Sequence, residues 1–251
     1  MRKHFHLSKK LLTLPIIIIS SLLFGCSNKT PSNTVILKTA LNTHINNFKL
    51  NINDSVKSNK DTNSFRGNIN YQRTPFIMWV DLNQSDQPHV KMWIQNKNAY
   101  LNDPKEDNWL STPLTNYTTV SHLKDVIGQM DMLPLSRKSQ KLFKVTESRD
   151  GYKLKYSGHN ARLWNDINKD NGLSTMAGYD DISKATIKNL KVVIYTSKKY
   201  KLLAFNISAK YKHKNNNGST ELKASKINKL KKLSVPKSVI ENSVDISKIN
   251  D

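Results

Sequence analysis

Apolar and polar residues alternate with a period of two along much of the chain, and this pattern predicts β-strands. In residues 48–53 every second side chain is apolar, and the same alternation returns in residues 65–71. A period of two places apolar side chains on one face of a strand and polar ones on the other. Further strands are predicted at 76–82, 90–95, 99–101, 109–110, 142–145, 152–156, 187–196, 201–211 and 219–227. Short polar turns join successive strands, which indicates antiparallel meanders.

Three segments instead repeat their apolar residues with the period of a helix. In residues 34–45 apolar side chains recur every four positions, which predicts an amphipathic helix. A similar stripe predicts a helix at 118–130, and a short helix is predicted at 161–168. The residues after Pro236 are predicted to form a polar tail. Because no linker rich in Gly, Ser or Pro divides the chain, residues 34–251 are predicted to form one α+β domain dominated by an antiparallel sheet.

The strand at 76–82 differs from the others because both of its faces are apolar. Such a strand is either covered on two sides or exposes an apolar patch. The same ambiguity applies to the tryptophans, which either line a ligand cavity or fill a core. These are Trp79, Trp93, Trp109 and Trp164.

The first 25 residues have the layout of a secretory signal. Residues 1–10 contain four basic residues and no acid, and residues 11–25 contain no charge. This is a basic segment followed by an apolar segment, and the apolar run is shorter than the ~20 residues of a comfortable membrane span. Residues 1–25 are therefore predicted to be a signal peptide, with an uncleaved anchor or an ordinary cleaved signal as the alternatives.

Cys26, the only cysteine of the chain, follows this apolar run directly. A lone thiol cannot form an internal disulfide or a CxxC metal pair. The preceding residues Leu23, Phe24 and Gly25 resemble a bacterial lipobox, in which the cysteine receives a diacylglyceryl group. Cys26 is therefore predicted to anchor the chain on the outer face of the cytoplasmic membrane, since two acyl chains hold a protein firmly to a bilayer. Residues 26–33 are predicted to be the lipidated tether.

The composition is strongly basic and permits anionic partners. The chain has 251 residues, with 40 Lys plus Arg against 19 Asp plus Glu and a net charge of +21. Only four of the basic residues lie in the predicted signal. A basic surface attracts anionic lipids, phosphate-rich wall polymers or nucleic acid. Nucleic acid is the least favoured of these partners, because no nucleic-acid-binding motif accompanies the charge.

The sequence contains no recognisable catalytic or metal-binding motif. The histidines are scattered, and the chain lacks a HExxH helix, a GxSxG elbow, a Walker loop and a GxGxxG loop. Residues 166–172 begin like a calcium loop, with Asp166 first. Such a loop requires glycine at its sixth position and an acid at its twelfth, where this chain has Asn171 and Ala177. We therefore predict no enzyme activity, no cofactor and no metal.

The order of these elements resembles a known superfamily. The helix running into FKLNI, the hairpin ending in AYLNDPKEDNW and the closing INKLKKLSVPKSV are similar to a family of small Gram-positive lipoproteins. That family resembles the LolA/LolB and LppX/LprG superfamily. The resemblance implies a LolA-like half-barrel, which is a curved antiparallel sheet with helices on its concave side, and it implies that the concavity binds a lipid or another hydrophobic ligand.

In such a curved sheet the alternating apolar faces converge on the concave side. The residues predicted to line a ligand site there are Phe48, Leu50, Ile52, Met78, Val80, Met92 and Ile94. The competing interpretation is that these side chains interdigitate into a closed core. The alternative function is that of a tethered interaction protein, which binds an anionic wall polymer or a protein partner through its basic surface.

Overall fold

The computed structural model describes residues 30–58, 61–105, 108–114, 133–169 and 182–246. The chain divides into two units, Met1–Pro31 and Ser32–Asp251, and the elements below belong to the second. Cys26 and the helix predicted at 118–130 lie outside the described residues.

Within the described residues, twelve strands form a single sheet. They are β1 (Asn47–Lys57), β2 (Thr62–Gln72), β3 (Ile77–Gln84), β4 (Val90–Gln95), β5 (Asn98–Asp103), β6 (Asn108–Pro113), β7 (Lys144–Ser148), β8 (Gly151–Gly158), β9 (Thr186–Ser197), β10 (Leu202–His213), β11 (Asn216–Ser225) and β12 (Ser243–Asp245). The described helices are α1 (Asn33–Leu41), α2 (Arg137–Gln140), α3 (Ala161–Lys169) and α4 (Lys237–Glu241), and a 3₁₀ turn covers Ile182–Lys184.

The sheet consists of two antiparallel meanders that meet in the middle. Its strand order is β12-β6-β5-β4-β3-β2-β1-β11-β10-β9-β8-β7. The first meander runs from β1 to β6 and the second from β7 to β11, and β1 pairs with β11 over nine residue pairs. The two edges, β12 and β7, are not paired with each other. The sheet is therefore curved but unclosed, and the predicted α+β half-barrel is confirmed.

Helix α1 begins where the sequence provides a cap. The hydroxyl of Ser32 accepts a hydrogen bond from the Val35 amide at 3.4 Å, and an N-cap of this kind satisfies one of the free amides of the first turn. Its buried residues are Ile36, Leu37 and Ala40. The Asn33 side chain ties the helix start to the β7 side of the sheet by donating to the Phe143 carbonyl at 2.8 Å.

The predicted polar tail after Pro236 is wrong for the residues up to 245. Helix α4 buries Val239, which packs with Val235 against Ile77 and Tyr100 on the outer face of the sheet. Strand β12 then pairs with β6 in the parallel direction. The tail was missed because Val239 is the only buried residue between Pro236 and Asp245, and a single buried position produces no period. This segment also covers the second apolar face of the strand at 76–82.

Candidate ligand-binding site

All seven residues predicted to line a ligand site lie on one face of the sheet, here called the inner face. They are buried in one continuous apolar cluster, and none is more than 5% exposed. Strand β1 contributes three of them, and β3 and β4 contribute two each. The structure thus brings the predicted residues together, and their role in binding stays a prediction.

One row of paired residues crosses all twelve strands of the described sheet, and every member of this inner row is apolar. From one edge to the other, the inner row is Val244, Leu110, Leu101, Met92, Val80, Ile69, Leu50, Ala224, Phe205, Ile194, Leu154 and Val145. The register of a sheet is set by the faces its side chains must bury, because a slip by one residue moves every side chain to the opposite face. The row therefore shows that both meanders place their apolar faces on the same side.

The inner row is buried at its centre and reaches solvent at both edges. Val80 and Ile194 are 0% exposed, whereas Val244 at the β12 edge is 48% exposed. Leu110 on β6 and Val145 on β7 are half-buried. Apolar side chains are thus partly accessible at the two unpaired edges of the described sheet.

Aromatic side chains flank the row on the inner face. The rings of Phe48 and Tyr71 have centroids 5.0 Å apart, and Phe76 meets Tyr71 edge-on at 6.0 Å. Such tilted and edge-on contacts add to the stabilisation from burial. Trp164 of α3 is fully buried and donates its indole N–H to the Ile182 carbonyl at 3.0 Å. Trp164 therefore fills the core and does not line a ligand cavity.

The other three tryptophans cluster on the opposite, outer face. The rings of Trp79 and Trp93 are 4.8 Å apart, and Trp109 lies 6.4 Å from Trp79. All three are half-buried, and Trp93 and Trp109 pack against the cluster formed by Ile77 and its neighbours. They do not line the inner face.

Asp54 is a buried carboxyl group on the inner face that the sequence analysis did not single out. It is 7% exposed, and its Oδ1 accepts a hydrogen bond from the Ser55 amide at 2.9 Å. Burial raises the pKa of Asp54 to about 6, because its effect is larger than that of the hydrogen bonds from Ser55 and Tyr211, which lower the pKa. The signal was present in the sequence, because Asp54 continues the apolar series Phe48, Leu50, Ile52 at the same spacing.

The described residues provide little for catalysis or metal binding. Among them, no group of three or more His, Cys, Asp and Glu side chains is placed to hold a metal ion. His89 contacts Asp81 at 2.6 Å as an exposed pair. Asp166, the first residue of the rejected calcium loop, lies in α3 and accepts a hydrogen bond from the Ser136 amide at 2.9 Å. The absence of enzyme activity and of a metal stays a prediction.

In the part of the chain that the structure describes, no helix combines the length and the apolarity needed to cross a membrane.

An unclosed half-barrel with a continuous apolar inner face defines the LolA-like class of folds. The chain belongs to the Family of unknown function DUF6612, whose profile matches residues 38–244. A comparison with curated proteins finds no match.

Two solved structures illustrate the similarity. Lipoprotein LppX from Mycobacterium tuberculosis is 11% identical, with 80% of this chain and 98% of that chain covered and a TM-score of 0.40. A LolA superfamily protein from Nitrosomonas europaea is 10% identical, with 82% and 96% covered and a TM-score of 0.27. The predicted resemblance to these groups is confirmed, and its Gram-positive detail stays a prediction. The half-barrel fold is therefore assigned from the strand order of this chain. The two similarities say nothing about its ligand.

Proposed function

We propose that this protein binds a lipid or another hydrophobic ligand against the inner face of its sheet. The observation that supports this most is the inner row, which is apolar across twelve strands and partly exposed at both edges. Burial of apolar area is the main favourable term in binding such a ligand, at roughly 25 cal/mol per Å². A binding function of this kind requires no catalytic group.

The two unpaired edge strands, β12 and β7, give the ligand a route to the inner face. A closed barrel has no edges, and widening it breaks backbone hydrogen bonds between neighbouring strands. Here the two edge strands share none, so the edges can separate while every strand keeps its partner. Met78 and Met92 suit such a wall, because unbranched thioether side chains adapt to ligands of different shape.

Replacing Met92 by tryptophan is expected to weaken uptake of a fluorescent fatty acid at least tenfold. Met92 is 5% exposed between Val80 and Leu101 of the inner row, so the larger ring fills space that an acyl chain would use. A tenfold loss corresponds to about 1.4 kcal/mol. Titration of the dye into both proteins measures the change. Lys91→Trp is the matched control, because Lys91 is exposed on the outer face of the same strand.

The closed-core interpretation predicts a different pair of results. Wild-type protein would take up no dye, and Met92→Trp would lower the free energy of unfolding by about 1–3 kcal/mol through overpacking. That combination, measured by dye titration and thermal unfolding, would refute the ligand site.

We further propose that the protein is a lipoprotein anchored through Cys26 on the extracytoplasmic side of the cell membrane. The support is the signal-like segment 1–25 and the lipobox-like residues before Cys26. Cys26→Ser is expected to abolish labelling by a fatty acid and to leave the protein either released from the membrane fraction or unprocessed. Ser27→Ala, one residue further, should label normally. Equal labelling of Cys26→Ser and wild type would contradict the anchor.

A further inference from the structure

The centre of the outer face contains a polar groove that the inner-face function does not use. It lies over the four neighbouring strands β2, β1, β11 and β10 and comprises two adjoining openings of about 650 Å³ and 320 Å³. Paired residues such as Arg66, Asn53 and Glu221 alternate with the buried residues of the inner face, so their side chains lie on the outer side. This feature is called the outer groove below.

Three cations of the outer groove are free to bind a ligand. Arg66, Lys210 and Lys223 are exposed, and within the described residues none of them forms an ion pair or a side-chain hydrogen bond. The only acid whose side chain lies on this face of the groove is Glu221, which is also unpaired among the described residues. With three cations against one acid and no ion pair among them, the described part of the outer groove carries a net positive charge.

The spacing of the cations favours an extended ligand over a single anion. With strands about 4.8 Å apart and alternate residues about 6.8 Å apart, Arg66 lies about 12 Å from Lys223 and about 16 Å from Lys210 at the backbone. A single phosphate group would have to draw all three side chains together, away from their separate strands. A chain with negative charges at intervals can do so.

The side chains between the cations are hydrogen-bonding groups typical of polyol recognition. Asn53 on β1 and Ser219 on β11 lie between the strand of Arg66 and the strand of Lys210. The side-chain amide of Asn51 donates a hydrogen bond to the side-chain carbonyl oxygen of Asn68. That bond orients Asn68 and leaves its own amide hydrogens for a ligand. Hydroxyl and amide groups of this kind match the hydroxyls of a sugar or polyol.

Glu221 adds selectivity against densely charged polymers. It lies at the centre of the outer groove, two strands from Arg66 in the same row. A carboxylate there repels a ligand that places a negative charge at every position, whereas it accepts hydrogen bonds from a neutral polyol unit. The groove thus matches alternating charged and hydroxyl-bearing units.

The surroundings of the outer groove favour a soluble partner over a bilayer. The large apolar side chains that are exposed within the described residues lie elsewhere, at Val35, Val90, Tyr195, Ile240 and Val244. Membrane-docking surfaces insert apolar side chains beside their cations. We propose that the outer groove binds a soluble polyol-phosphate chain, in which phosphate groups alternate with hydroxyl-bearing units.

The test is binding of poly(glycerol phosphate) to the full-length protein in detergent, measured by calorimetry at a fixed low salt concentration. The double variant Arg66→Gln/Lys223→Gln is expected to bind at least about tenfold more weakly, because two charge-assisted contacts are lost. The control Lys144→Gln/Lys155→Gln removes the same charge from the outer face of β7 and β8 and should change affinity less than about twofold. Glu221→Gln should bind poly(glycerol phosphate) at least as tightly as the wild-type protein does. It should also bind single-stranded DNA more tightly than the wild-type protein does.

Three outcomes would overturn the proposal. Equal weakening by both double variants would mean that only net charge matters. Tighter binding of wild-type protein to single-stranded DNA would mean that the groove does not select spaced charges. Groove-dependent binding to phosphatidylglycerol vesicles without binding to the polymer would assign the groove to a lipid headgroup. Fatty-acid uptake through the inner face should be the same in all these variants, so the two functions are tested separately.

Discussion

Replacing Gly151 by alanine is expected to lower the free energy of unfolding by at least about 3 kcal/mol, or to prevent folding. Gly151 begins β8 and pairs with Ser197 of β9, with φ at +157°. A Cβ atom there would overlap the carbonyl oxygen of Thr196. The obstacle is the backbone of the neighbouring strand, so no side-chain rotation can relieve it.

Chemical denaturation of wild type and Gly151→Ala measures this effect. Gly67→Ala is the matched control, because its Cβ would lie 3.1 Å from the end of the flexible Leu82 side chain. That variant should cost less than about 1 kcal/mol. Equal losses at the two sites would mean that the close backbone approach at Gly151 does not exist in solution.

Asp54→Asn is expected to stabilise the protein at pH 7–8 by up to about 3 kcal/mol. Burial raises the pKa of Asp54 from 3.8 to about 6, so the folded state holds its proton more tightly than the unfolded state does. The stabilisation from this proton is complete below pH 3.8 and is lost as the pH rises through about 6. The amide of asparagine stays neutral throughout and avoids this loss.

The measurement is the difference in unfolding free energy between Asp54→Asn and wild type across pH 4–8. The difference should grow with pH up to about 6 and stay constant above it. Asp61→Asn, which removes an exposed carboxylate from the β1–β2 turn, is the control for the loss of one negative charge and should change the unfolding free energy by less than about 0.5 kcal/mol. A difference that shrinks with rising pH would mean that the Asp54 carboxylate is stabilised, not penalised, by the fold.

The local structure was predictable wherever the sequence shows a clear period. Alternation in residues 48–53 and 65–71 predicted β1 and β2, which extend one to four residues further at their ends because the pairing continues there. The short helix predicted at 161–168 is α3, and its shared face is buried through Trp164 and Ile167. The helix predicted at 34–45 ends earlier, at Leu41, because Asn42 caps it.

The pairing of distant segments was not predictable from these local periods. Nothing in residues 47–57 specifies that β1 pairs with β11, nor does the polar sequence of 243–245 specify a parallel pair with β6. The predicted inner-face residues came together because alternation fixes which side of a strand is buried. The outer groove escaped prediction because it depends on four strands that only the fold brings together.

The β1–β11 pair also determines when this fold can be completed as the chain is synthesised. Leu50 pairs with Ala224, so the central pair of the sheet must wait until nearly the whole chain is available. Contacts this distant in sequence form slowly, because closing the intervening loop costs entropy before the pairing compensates it. A chain threaded through a secretion channel from its N-terminus would therefore remain extended during passage, and the sheet would close only after β11 emerged.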